Sequence, residues 1–482
     1  VKSIPRRSLL KGILATSVVV GFDLAGRSWV THASGGAGAD FSELPPLDGT
    51  LTTDPAALAA AADDFGHIIH RTPVAVLRPG SVEDVVKVVR FARRHDIRVA
   101  GRGKGHTAFG QSQADAGVVI DMTTLNQIHS VGPDAAVVDA GVVWRDLLLT
   151  TVPQGLTPPV LTDYTRLTIA GTLSVGGISG RSYQHGAQVD NVLELQVVTG
   201  EGELVTCSES ENRALFEAAL AGLGLCAVIV RAKLRLIPAR ERAQTLRFFY
   251  PDVAAMLADL RFLVAAERFD HIRGMGVATP GGFAFFIEAT HFYTSTAELP
   301  ANPFEGLNFI PGSQQTEDMT YFEYTDLVVK LIDFLDQAGF GGFPHPWLDL
   351  FVPDSKIDDF ATQTVASLDP SLFLPGSLML FFPFVKSRLT RPMLAVPDEE
   401  TFFLFDILRT IPHEAVDAVL AENRRLYEQA RDLGGKSYTI SAVRMSQHDW
   451  QEHFRPHWGR LVSEKHRRDP GNVLGPGPGV FA

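Results

Sequence analysis

Two glycine-rich runs constrain this chain more than any other feature: Gly101-Arg-Gly-Lys-Gly-His106-Thr107 and Gly171-Thr-Leu-Ser-Val-Gly176-Gly177-Ile-Ser-Gly180. In a Gly-x-Gly-x-Gly loop, successive backbone N–H groups can point to one side and hold pyrophosphate without a side-chain cation. The first run follows a predicted strand, Ile97 to Ala100, and precedes another, Val118 to Met122. Its spacing is not that of the Rossmann fingerprint, which opens a helix with Gly-x-Gly-x-x-Gly and carries an acid about 20 residues later, and it lacks the Gly-Lys-Ser/Thr ending of a P-loop. Either run alone is compatible with a plain tight turn. Together, flanking one predicted sheet, they favour a dinucleotide threaded between them.

The surrounding pattern alternates strand and helix. Val74 to Leu77 is a β-type run, Pro79-Gly80 turns the chain, and Ser81 is placed to cap a helix with Asp84. Val82, Val85, Val86, Val89 and Phe91 then give that helix its apolar face. Strands Leu193 to Thr199 and Val228 to Leu236 flank a helix at Glu211 to Ala221. From about Ala239 the chain becomes richer in Phe and Pro, with a later helix at Glu414 to Leu433 and a Pro/Gly-rich tail from Asp469 to Phe481 expected to lie back on another domain. At 482 residues the soft prior is about two to four domains. The formal charge of −12 offers no field for a phosphate backbone, so nucleic acid is not expected as a partner.

The first residues are set apart. Arg6-Arg7 precede an apolar stretch, Ser8 to Val20, and Thr31-His32-Ala33 supply small residues suited to cleavage. Residues 1–35 therefore read as a twin-arginine export signal, too short in its apolar part for a stable membrane span of ~20 residues. Five basic residues and one acidic residue lie within 1–33, so their removal takes the chain from −12 to −16. The expected location is periplasmic or extracellular. With only Cys207 and Cys226 there is no disulfide framework, and both read as buried small hydrophobes. His453 and His457 are four apart, but Pro456 lies between them and no Glu follows the first, so no metal site is expected. His67 and His70 read as helix surface.

Several longer stretches are more specific. Gly101 to Gln111, the strand Val118 to Met122, and Leu161-Thr-Asp163-Tyr164 running into Gly171-Thr172 resemble the PCMH-type flavin-binding domain of the vanillyl-alcohol-oxidase superfamily. More narrowly, Ile287-Glu288-Ala-Thr290, Pro344-His-Pro-Trp347-Leu-Asp-Leu-Phe-Val-Pro353 and Asp469-Pro470 resemble the cytokinin dehydrogenase family, over roughly residues 55 to 481. The resemblance implies an α+β fold: a two-subdomain FAD-binding domain, discontinuous in sequence at 45–240 and 440–482, around an inserted α+β substrate domain at 241–439.

It also implies roles. His106 corresponds to the histidine that carries FAD covalently, a position where a loop wrapped around the cofactor sets an imidazole against the ring edge. Gly101, Arg102, Gly103, Lys104, Gly105, Thr107, Gln111, Asp163, Tyr164, Gly171, Thr172, Gly176, Ile178 and Ile229 would line the cofactor. Asp163 would accept a hydrogen bond from a secondary amine and help take its proton while the adjacent C–H delivers hydride to the flavin. Glu288 would hold the purine end of the substrate, and Trp347 would form pocket wall. Asp349 stands where the family pattern has asparagine, and Leu474-Gly475-Pro476-Gly477-Pro478 lacks two polar residues of the family's tail.

The activity so implied is oxidation of a small-molecule amine, an N6-substituted adenine, to an imine that hydrolyses to adenine and an aldehyde, with oxygen or a quinone reoxidising the flavin. An FAD-linked oxidase of an alcohol, sugar or secondary metabolite stays open, as does a flavin-storing protein with a dead site, although His106 and Asp163 argue against the latter.

Overall fold

The computed structural model describes residues 17–23, 28–33 and 41–481. The Arg6-Arg7 pair and the start of the apolar stretch lie outside the described residues. A four-stranded sheet is ordered Thr50–Thr52, Ala75–Arg78, Val118–Asp121, Val99–Arg102, its last three strands parallel. Parallel neighbours need a crossover. The helix Val82–Arg94 supplies it, burying Val85, Val86, Val89 and Phe91. Its start differs from expectation in one respect. Ser81 makes no capping bond to the helix and donates instead to Asp48 at 2.7 Å. The fully buried Asp84 accepts from the backbone N–H groups of Asp48, Gly49 and Gly80 at 2.7–2.9 Å, tying down the preceding turns.

A second sheet, wholly antiparallel, has the order Leu204–Ser208, Val192–Thr199, Ala227–Arg235, Ala135–Asp139, Ile128–Val131. The helix beside it runs Arg213–Ala219, shorter at each end than its sequence pattern. Cys207 and Cys226 are buried and unpaired.

The largest sheet has eight antiparallel strands in the order Gln315–Thr320, Arg242–Tyr250, Gly282–Tyr293, His271–Thr279, Leu378–Val385, Thr401–Leu408, Leu348–Pro353, Lys436–Ser437. Strand side chains alternate between faces. One face packs on the helices Val253–Ala265 and Asp354–Ser367 through Phe248, Leu260, Phe381, Phe405 and Ile357. The other turns Arg273, Met275, Leu380, Phe382, Leu404 and Asp406 toward a cavity shared with the glycine loops.

The tail returns to the first sheet through a buried ion pair. Lys465 Nζ donates to Asp469 Oδ2 at 2.6 Å and to the carbonyls of Leu225 and Leu474 at 2.9 and 3.0 Å. Asp469 in turn accepts the N–H groups of Val473 and Leu474, so Leu474 bridges parallel to Val99. His67 and His70 are not on a helix: His67 has a left-handed backbone, φ 51°, with Nδ1 2.7 Å from Asp63 and Nε2 3.0 Å from the Gly341 carbonyl. Among the described residues no helix is long and apolar enough to cross a membrane.

Candidate active site

The cavity lies where the two smaller sheets meet the open face of the large one, and all of residues 101–107 line it. Glycine is required there by space and by backbone. A Cβ on Gly103 would sit 2.0 Å from Thr168 Oγ1, and Gly105 has φ +66°. The loop is buttressed by Asp64, a residue without any signal in the sequence. Asp64 accepts from the Thr107 hydroxyl at 2.7 Å and the Gly110 N–H at 2.6 Å, and burial outweighs these bonds to push its carboxyl up to about 6. Gly171, Thr172, Ile178 and Ile229 form the facing wall, and Gln111 bridges to the Thr439 and Ser441 carbonyls at 3.2 Å. Gly176 is not on the wall; it packs behind it near Leu394 and Tyr438, whose hydroxyl accepts the Gly177 N–H at 3.1 Å. Gly475 and Pro478 of the tail close the cavity beside Tyr438.

His106 sits at the bottom of an aromatic stack. Its ring lies 4.0 Å from Phe65 at an interplanar angle of 11°, Phe65 lies 4.2 Å from His345, and Trp347 meets His106 edge-on at 5.4 Å. Burial pulls the imidazole down to about 4, so it is neutral at physiological pH, and Nε2 is buried without a hydrogen-bond partner. With the glycine cradle beside it, the residues present fit an adenine dinucleotide flavin. Phe65 and His345 went unassigned in the sequence, because stacking between residues 280 positions apart leaves no periodic trace.

At the other side of the cavity, cross-strand register builds a charge relay. Arg247, Glu288 and Arg273 stand directly opposite one another on adjacent strands. Arg273 donates through Nε and Nη2 to Glu288 Oε2 at 2.8 and 2.6 Å and through Nη1 to Asp163 Oδ2 at 2.6 Å. Arg247 takes the second Glu288 oxygen. Burial resists the Asp163 charge, but Arg273, with His271 3.7 Å away, overcomes it and holds the carboxyl at about 2. Glu288 is likewise held low against burial by Arg273 and Arg247.

Asp163, Tyr164, Trp347 and Arg273 line the cavity, whereas Glu288 does not, and both of its oxygens are occupied by guanidinium groups. The group presented beside Asp163 is Arg273, a donor. It was missed because an arginine on an amphipathic strand reads as solvent-facing until its neighbours are known.

Residues 73–208 match the family model of an FAD binding domain, and residues 279–481 match that of the FAD and cytokinin binding region of cytokinin dehydrogenase 1. The chain is 37% identical over 437 residues to an uncharacterized oxidoreductase in the fasciation locus of Rhodococcoides fascians, covering 89% of this chain and 99% of the other. It is 36% identical over 514 residues to cytokinin dehydrogenase 1 of Oryza sativa subsp. japonica, covering 93% and 96%. To cytokinin dehydrogenase 3 of Arabidopsis thaliana it is 31% identical over 472 residues, covering 90% of each.

Proposed function

The chain belongs to the cytokinin dehydrogenase family of FAD-dependent oxidoreductases, and on that premise we propose that it oxidises the secondary amine of N6-substituted adenines. The observation that carries this reading is the Asp163–Arg273 pair at the cavity wall. An ionised acceptor beside a fixed donor is complementary to the edge of an N6-substituted adenine, where the exocyclic N–H lies next to a ring-nitrogen acceptor. Asp163 accepts the N–H and Arg273 donates to the ring. Bound FAD supplies a two-electron acceptor for the C–H beside that nitrogen.

With its carboxyl held at about 2, Asp163 is a weak base. Its contribution is electrostatic: it orients the amine and stabilises positive charge as the nitrogen becomes an iminium. Glu288 acts through Arg273, fixing the guanidinium rather than touching the purine. The iminium then hydrolyses with water to adenine and an aldehyde, releasing a proton to solvent. We assign His106 as the covalent attachment point for the flavin, supported by its orphaned Nε2 and neutral ring. Arg6-Arg7 and the following apolar stretch support export by the twin-arginine pathway, and cell fractionation tests it.

Turnover with N6-(3-methylbut-2-enyl)adenine and a quinone or oxygen as acceptor tests the substrate assignment. Adenine and aldehyde in equal amounts are expected, and no product from any N6-alkyladenine would overturn it.

A further inference from the structure

The large sheet gives the cavity a mostly apolar wall, including Met275, Leu380, Phe382 and Leu404. Register places one exception in it. Asp349 and Asp406 stand directly opposite each other on antiparallel strands, so their side chains share a face. Both line the cavity, both are buried at 1% and 4% exposure, and their carboxyls are within hydrogen-bonding reach of one another.

This pair differs in kind from Asp163 and Glu288. Those two are met by guanidinium groups, whereas among the described residues no lysine or arginine meets Asp349 or Asp406. Among the described residues the one hydroxyl or N–H found beside either carboxyl is that of Ser441, 3.1 Å from Asp349 Oδ2 and also within reach of the Tyr438 carbonyl, and Asp406 Oδ1 is buried with no partner. Burial lifts Asp349 to about 7, and burial together with the charge of Asp349 lifts Asp406 well above the carboxylate range. At neutral pH the two therefore keep a proton between them. One negative charge remains, with unfilled lone pairs and no cation. Leaving such a group buried is costly unless a ligand supplies a donor.

Position says which part of a ligand that is. Asp406 lies opposite Leu380, which lies opposite Met275, two residues along the strand from Arg273. Asp406 is therefore two strand spacings from the Arg273 strand, roughly 10 Å, and Asp349 lies one strand further out. A substrate amine held at Asp163 that bears a four-carbon substituent ending in a hydroxyl spans about that distance, counting hydrogen bonds of about 2.8 Å at each end.

We infer that Asp349 and Asp406 form a specificity subsite for a hydrogen-bond donor, a hydroxyl or an ammonium, carried on the N6 substituent of the substrate. The inference rests on the proposed amine oxidation and adds to it a preference among N6-substituted adenines.

The test compares kcat/KM of the holoenzyme on three substrates: N6-(3-methylbut-2-enyl)adenine, its 4-hydroxy derivative and its 4-amino derivative. Hydrogen bonds to charged groups lead us to expect a preference of about ten- to a hundredfold for a donor-bearing compound over the hydrocarbon. Asp349→Asn and Asp406→Asn should bring that ratio toward one. Equal kcat/KM on all three with the wild-type enzyme overturns the subsite, as does a preference that both variants retain. The wild-type ratio decides the matter even if a variant fails to fold. Turnover of none of the three, with bleaching by an alcohol or sugar, would instead overturn the amine-oxidation reading, a result distinct from equal turnover of all.

Discussion

Arg273 holds its guanidinium 2.6 Å from the Asp163 carboxylate and, with its other nitrogens, grips Glu288 at 2.6 and 2.8 Å. A mostly buried cation between two carboxylates favours the ionised form of both. It keeps Asp163 ionised against the burial that raises its carboxyl.

The acid limb of the pH profile should therefore depend on Arg273. In the wild type Asp163 ionises at about 2, below its ordinary value, so kcat/KM should not fall with Asp163 protonation anywhere above pH 4. In Arg273→Met the main charge that opposes burial is lost, so the Asp163 carboxyl rises from about 2, and activity should drop as pH falls through the new, higher value. A loss of at least tenfold at pH 7 is also expected, since a buried charge partner is removed. A pH–rate profile of both proteins checks this.

His106→Ala should release the flavin from covalent linkage while the glycine cradle still binds it. After acid or detergent denaturation the wild type should keep flavin on the polypeptide, and the variant should release all of it to the supernatant.

Asp349 and Asp406 predict a stability that declines toward alkaline pH. Both are raised in the folded state, Asp349 to about 7, so the native protein holds protons that the unfolded chain releases above about pH 4. Their contribution is least unfavourable at low pH and worsens as pH rises from about 4 through 7. Asp349→Asn removes a buried charge and should melt higher than the wild type at pH 8, with the difference vanishing near pH 4, as read by thermal denaturation.

The tail depends on one ion pair. Lys465 is buried with donors to Asp469 and two carbonyls, so Lys465→Met leaves Asp469 as an uncompensated buried charge. A destabilisation of about 3–5 kcal/mol is expected by denaturant titration, because breaking a buried pair costs far more than replacing it whole.

What was legible in the sequence was local. The crossover helix at Val82–Arg94 and the glycine loops declare themselves by spacing and by backbone demand. The Ser81 cap was misread because its competitor, Asp48, lies 33 residues away and takes its hydroxyl. The long-range partners were not legible at all. Phe65 stacked on His106, Asp64 behind Thr107 and Arg273 in front of Glu288 are each joined to the site by register or packing over 15 to 43 residues. The sequence motif around Glu288 identified the right strand, but only cross-strand pairing shows that its neighbour faces the cavity.

The most direct measurement is anaerobic titration of the purified holoenzyme with N6-(3-methylbut-2-enyl)adenine, following the flavin absorbance. The Asp163–Arg273 account predicts bleaching with one equivalent of substrate per flavin and matching release of adenine. An absorbance that stays unchanged with N6-alkyladenines but bleaches with an alcohol or a sugar would contradict it.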